Sequence, residues 1–170
     1  MANQQEERTR ALATIDAWAG AVEQGVPHDL FVFLTRIVPI INVDLLIRDD
    51  RLGTLLTWRD DEYYGPGWHL PGGVIRYKET FDARIRLTAR RELGAEVSFE
   101  PEPIAVIQAI QPMRRERGHF ISLLYRCRLL GPLHEGQRHN PADPRPEQWA
   151  WHLACPQDLI PEQEPYRRFI

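Results

Sequence analysis

The chain has 170 residues, 43% of them hydrophobic and 26% charged, with a formal net charge of -3. These are the values of an ordinary globular domain with a full core, and they exclude a disordered or fibrous chain. The mildly acidic balance also argues against a duplex nucleic-acid binder, which needs a basic face, and no apolar run approaches the ~20 residues of a membrane span.

The polar start Met1-Ala2-Asn3-Gln4-Gln5-Glu6-Glu7 is not a signal peptide, so a cytoplasmic protein is the expectation. Cys127 and Cys155 belong to no metal-spacing motif and read as reduced thiols. From Glu6 to Gln24, Leu12, Ile15, Ala19 and Val22 fall on one helical face, and Gly25-Val26-Pro27 ends the helix. Residues 1–27 are therefore expected to be a helical extension that packs on the core, a homodimer contact being the alternative, and residues 28–170 form the main domain.

His28-Asp29 opens a short helix expected to run to Arg36. Ile40 to Ile47 then reads as a strand, Asp49-Asp50-Arg51-Leu52-Gly53 as a turn, and Thr54 to Arg59 as the partner strand. The loop Asp60 to Gly67 holds Tyr63 and Tyr64, which suit either stacking on a ligand or covering the core. After it, Trp68-His69-Leu70-Pro71-Gly72-Gly73-Val74 reads as a tight turn opening a helix, where the two glycines adopt backbone geometry closed to other residues.

Within the helix expected from Glu79 to Gly94, Phe81, Ile85, Thr88 and Ala89 share a face. Continuing that stripe puts Glu92 near it, in the last turn, where the helix dipole disfavours an acid unless a cation is close. Arg90, Arg91 or a bound divalent metal are the available cations. Solvent at a frayed helix end is the plainer alternative.

Strands follow at Glu96 to Glu100, Ile104 to Ile110 and His119 to Leu129. The last is apolar on both faces at its centre and so internal to a sheet. Arg114, Arg115 and Arg117 crowd the turn before it, either for solubility or to collect a phosphorylated ligand. The stretch Gly131 to Pro146 is polar and proline-rich, a long loop of the kind that carries function, before a strand at Gln148 to Leu153 and a short helix near Pro156 to Ile160.

Gly73, Glu79, Glu92 and Gly94 sit at the spacings of the first glycine, first glutamate, last glutamate and final glycine of the Nudix box. The chain thus resembles the Nudix hydrolase family. The box positions for arginine, the middle glutamate and the penultimate glutamate hold Leu87, Thr88 and Arg91, a departure similar to the GDP-mannose mannosyl hydrolase branch, which also lacks the middle acids.

The resemblance implies an α/β Nudix fold, a mixed β-sheet sandwiched between helices, with the N-terminal helix as an addition. It implies a hydrolase that uses Mg²⁺, with Mn²⁺ as the alternative, on a nucleotide-sugar substrate. The metal ligands it implies are Gly72, Glu92 and a late-loop residue; the branch's Gln-His pair is absent here, His139, Asp143, Glu147 and Gln148 lie in or beside that loop, and Glu147 is taken as the ligand. One metal is the expectation, since the other box acids are missing. Asp44, Arg59 and Arg76 are its substrate-binding candidates, with Arg59, Glu92 and His139 as the catalytic ones. Glu79 orients the helix start, pairing with Arg86. Two alternatives stay open: a pyrophosphatase that splits the P-O-P bond of a nucleotide sugar or ADP-ribose, and a catalytically degenerate module that binds a nucleotide sugar without turnover.

Overall fold

The computed structural model describes residues 2–170. At its centre two strands run parallel, β1 (Ile40–Asp49) beside β7 (His119–Leu129), paired from Ile40 with Phe120 to Ile47 with Cys127. Along the outer edge of β7 lie β6 (Ala105–Ile110) and β5 (Val97–Phe99), both antiparallel to it. β7 is thus internal, as its apolar centre requires.

At its far end β1 turns back into β2 (Gly53–Arg59), with the Asp49 carboxylate accepting the Arg51 and Leu52 N–H groups at 2.8 and 3.0 Å. β2 carries a second, antiparallel group of strands: β3 (Gly67–His69) on one edge and β8 (Trp149–His152) on the other.

The stretch Trp68 to Val74 differs from the helix-opening turn expected of it. It holds β3 and then β4 (Gly72–Val74), which pairs antiparallel with Asn42 to Asp44. Neither Gly72 nor Gly73 has a positive φ. Glycine is required there by proximity: a Cβ on Gly72 would collide with the Asp44 carboxylate, and one on Gly73 would collide with the Thr88 hydroxyl and lie 2.8 Å from Arg84 Cδ.

The box helix, α3 (Phe81–Leu93), starts later. Thr80 caps it by accepting the Ala83 N–H at 3.2 Å, and Gly94 ends it at φ 60, the left-handed conformation that favours glycine. Ile85, Ala89 and Leu93 are fully buried against Val43, Leu45, Ile47, Leu55 and Tyr125. Ile85 and Leu93 each contribute about 2 kcal/mol of transfer free energy. Phe81, expected on the same face, is the helix's first residue and is 47% exposed, with its ring 6.3 Å from that of Tyr125 on β7.

On the sheet's other face, Leu46, Leu56, Trp68, Leu70 and Leu124 pack against Leu159 and Tyr166. The helical turn that covers them is a 3-10 segment at Pro161–Tyr166, not the expected Pro156 to Ile160. The mixed sheet is thereby held between α3 and the C-terminal segment.

The N-terminal helix α1 spans Ala2–Ala19 and α2 spans His28–Leu34. Of the face that the spacing suggested, Leu12 is 66% exposed, while Ile15, Ala19 and Val22 are half-buried. Among the described residues no helix is long and apolar enough to cross a membrane.

Glu79 pairs with Arg84 rather than Arg86. Its Oε2 accepts Arg84 Nε at 2.8 Å and the Arg76 N–H at 2.9 Å, with Arg84 Nη2 at 2.7 Å in an ionic contact. Arg84 points inward, its side chain 5% exposed, whereas Arg86 turns out over the Phe99 ring. Removing one partner of such a pair strands a buried charge. Glu79→Gln should therefore lower the unfolding free energy by roughly 3 kcal/mol in urea titration, while Arg86→Ala stays within about 0.5 kcal/mol of wild type.

Candidate active site

Three elements meet at the Glu92 carboxylate. α3 delivers the side chain from its last turn, β4 offers the Gly72 N–H to Oε1 at 3.3 Å, and β2 offers the Thr57 hydroxyl to Oε2 at 3.1 Å. Thr57 also lies 3.2 Å from His69 Nε2 on β3. Its hydroxyl has one proton, so donation to Glu92 leaves it to accept from His69.

Part of the Glu92 residue surface is accessible, but its carboxylate is enclosed by protein. Burial pushes it up to about 8; the Thr57 and Gly72 hydrogen bonds and the Arg59 charge pull the other way, and Glu147 pushes it further up. Among the described residues no arginine, lysine or histidine lies within ion-pair distance of Glu92. A desolvated acid with two neutral donors and a second acid nearby is a place where a cation binds favourably.

Glu147 reaches this place from the proline-rich loop. Its backbone turns left-handed, φ 66, and its N–H donates to the Trp58 carbonyl at 2.9 Å, which ties the loop to β2. Gly72, Thr88, Arg91, Glu92 and Glu147 share the wall of one cleft of about 1250 Å³.

A smaller cavity of about 160 Å³ shares Gly72, Gly73, Val74 and Arg117 with that cleft. Its floor is Asp44, buried on β1. The Tyr166 hydroxyl donates to Oδ2, Asn42 Nδ2 lies 3.0 Å from both oxygens, and the Ser122 hydroxyl donates to Asn42 Oδ1 at 2.8 Å. Burial raises Asp44 to about 6 against the pull of these hydrogen bonds and of Arg59.

Arg59 lines the small cavity, held by Asp61 at 2.6 Å and stacked 4.5 Å from the Tyr64 ring centroid. Arg114 and Arg117 also lie over Tyr64, at 4.4 and 5.2 Å. Tyr64 is 4% exposed, so it serves as a buried platform for guanidinium groups rather than as a free stacking surface. Arg76 lines the large cleft, half-buried.

Of the residues the sequence singled out, Gly72, Glu92, Glu147 and Arg76 come to one cleft, and Asp44 and Arg59 to the cavity next to it. His139 comes to neither. Its N–H donates to the Trp149 carbonyl at 2.9 Å, which lays residue 139 along β8, and its ring packs 4.7 Å from Trp68 and 5.3 Å from Trp58 with Nδ1 buried and unpartnered.

Thr57 and His69 were missed. Thr57 read only as a strand residue and His69 only as part of an aromatic run. Their sole signal was position, Thr57 in a strand that returns beside the box and His69 three residues before Gly72.

Residues 38–169 match the family model described as NUDIX domain. The chain belongs to the Nudix family. In sequence, the Nudix chain is 35% identical over 75 residues to the "Low-salt glycan biosynthesis protein Agl8" of Haloferax volcanii, covering 44% of this chain and 47% of that protein. It thus spans about half the length of that curated relative.

Among solved structures, a possible asymmetric diadenosine tetraphosphate hydrolase from Jonesia denitrificans matches with TM-score 0.51 and 21% identity, over 68% of this chain and 77% of that one. A UDP-X diphosphatase matches with TM-score 0.57 and 17% identity, over 77% and 59%. A MutT Nudix hydrolase from Burkholderia pseudomallei matches with TM-score 0.53 and 21% identity, over 72% and 90%. These likenesses carry the fold.

His69 offers a check on the enclosure of this Nudix site. Burial, with the Arg59 charge next, pushes its imidazole down from 6.5 to about 3. A folded pKa below the unfolded one gives stability that is complete above pH 6.5 and is lost as pH falls towards 3. Between pH 7 and pH 5 this histidine alone removes up to about 2 kcal/mol. In His69→Gln the pH 7 to pH 5 loss of unfolding free energy should shrink by that amount, measured by urea titration at both pH values.

Proposed function

We propose that this Nudix hydrolase cleaves a nucleoside diphosphate sugar with the help of one divalent cation, Mg²⁺ or alternatively Mn²⁺, releasing the nucleoside diphosphate and the free sugar. The observation that carries the reading is the enclosed Glu92 carboxylate, which among the described residues has two neutral hydrogen-bond donors, no ion-pair partner and a second acid, Glu147, close enough to act on it.

Among the described residues no group of three or more histidine, cysteine, aspartate or glutamate side chains is gathered as for a metal. One hard cation needs only one or two carboxylates, a backbone carbonyl and substrate phosphates. Glu92, Glu147 and the Gly72 carbonyl are the proposed ligands. When bound, the ion neutralises diphosphate charge and so stabilises it as a leaving group.

The protein's own residues divide the remaining work. Gly72 and Gly73 line both cavities, so a substrate that reaches from one to the other passes their backbone. Arg59 is a permanent charge beside it, braced by Asp61 and Tyr64 so that little freedom is lost on binding. Asp44, with Asn42, Ser122 and Tyr166 around it, supplies acceptors and donors suited to sugar hydroxyls. The partial likeness to a protein named for glycan biosynthesis also supports a sugar-bearing substrate.

The second reading, hydrolysis at phosphorus, is favoured by the position of His139. Packed between Trp58 and Trp68, it is not available as the base expected for attack at carbon, and no step is routed through it. A third possibility, binding without turnover, has in its favour the missing box acids and the missing late-loop Gln-His pair.

Product analysis separates these readings, with GDP-mannose as the first substrate. Attack at carbon gives GDP and mannose, whereas attack at phosphorus gives GMP and mannose 1-phosphate. Glu92→Gln should lower kcat/KM by about 100-fold or more and weaken Mg²⁺ binding in calorimetry, since it removes the charge that holds the ion. Unchanged Mg²⁺ dependence in that variant would remove Glu92 from the mechanism.

A further inference from the structure

The family match begins at residue 38, yet one side of the Glu92 cleft is built from residues that precede it. Val22, Val26, Phe31 and Leu34 give that side an apolar surface, in the same cleft as Gly72, Arg76 and Glu92.

Two contacts fasten this segment to the site. Gly25, at φ 98, lies against the Arg76 guanidinium so closely that a Cβ there would be 3.3 Å from Arg76 Cζ. The buried Thr35, just past α2, accepts the Arg117 N–H on its hydroxyl at 2.9 Å, and the Arg117 guanidinium lies 5.6 Å from the Phe31 ring centroid. Arg117 borders both cavities, and its Nε is buried without a partner.

We propose that the segment Val22–Leu34 is the nucleoside-binding wall of this enzyme, with the base of the substrate lying on the apolar surface around Phe31. The inference rests on the nucleotide-sugar reading above and says which half of the substrate goes where. The two cavities differ in chemistry. The small one is ringed by Asn42, Asp44, Ser122, Gln163 and Tyr166, which are partners for hydroxyl groups. The large one joins charged groups, among them Arg76, Arg91, Glu92 and Glu147, to the apolar surface of Val22, Val26, Phe31 and Leu34, which suits the flat faces of a base.

A molecule that fills both must cross the strip they share, Gly72 to Val74 with Arg117, and that is where a diphosphate finds glycine backbone and a guanidinium. Gly25 lets the wall close down on Arg76, which then lies between base and phosphate.

The test titrates the two halves of the substrate separately. GMP and mannose 1-phosphate are each titrated by calorimetry into the wild type, Phe31→Ala and Val26→Asp, with thermal melting to confirm that each variant is folded. Val26 lies outside α2, so the second variant does not share a folding defect with the first. Both variants should weaken GMP by about tenfold or more, the loss of one base-stacking contact, and leave mannose 1-phosphate within about twofold.

Unchanged GMP binding in both folded variants, a loss confined to mannose 1-phosphate, or no GMP binding by the wild type would each overturn the assignment. The hydrolysis reading fails differently. If the wild type yields GMP from GDP-mannose, or no product, the choice of bond or substrate falls, while selective loss of GMP binding in the two variants still places the nucleoside on this wall.

Discussion

The site depends on one constraint: a carboxylate at the end of α3 is held out of water by two neutral donors from two different strands. Glu92 meets Thr57 on β2 and the Gly72 N–H on β4, so its position ties together the helix and both groups of strands. Displacing any of the three elements would free the acid to reach solvent. The hydrophobic contacts of Ile85, Ala89 and Leu93 on the central sheet hold the helix end where this bonding is possible.

The arrangement is costly to the isolated fold. Glu92 and Asp44 stand on either side of Gly72, and burial raises both, to about 8 and about 6. Each would gain from a positive charge, yet Arg59, the cation that acts on both, is itself engaged by Asp61. Such uncompensated acids are a stability cost that a bound cation and its phosphate partner would relieve, and this links folding to ligand binding.

The same constraint explains the roles that moved. The two glycines serve as a strand because Asp44 on one side and Thr88 and Arg84 on the other leave no room for a Cβ. Arg84 takes the Glu79 partnership because it lies inward, next to β4, while Arg86 lies over Phe99. His139 follows β8 into an aromatic cluster, since the loop that bears it is pinned by backbone hydrogen bonds to Trp149 and Trp58.

From the amino-acid order alone came the family, the central strands, the box helix with its terminal glycine and a place for Glu92 near that helix's apolar stripe. These are local matters: helical and strand periodicity and a terminal glycine act within a few residues of one another. Tertiary structure alone decided that Thr57, Gly72 and Glu92 share hydrogen bonds, that Glu147 rather than His139 reaches the cleft, and that residues before the matched domain form part of its wall. Those pairings join residues tens of positions apart, and their partners are selected by how the strands and loops pack, which spacing along the chain does not encode.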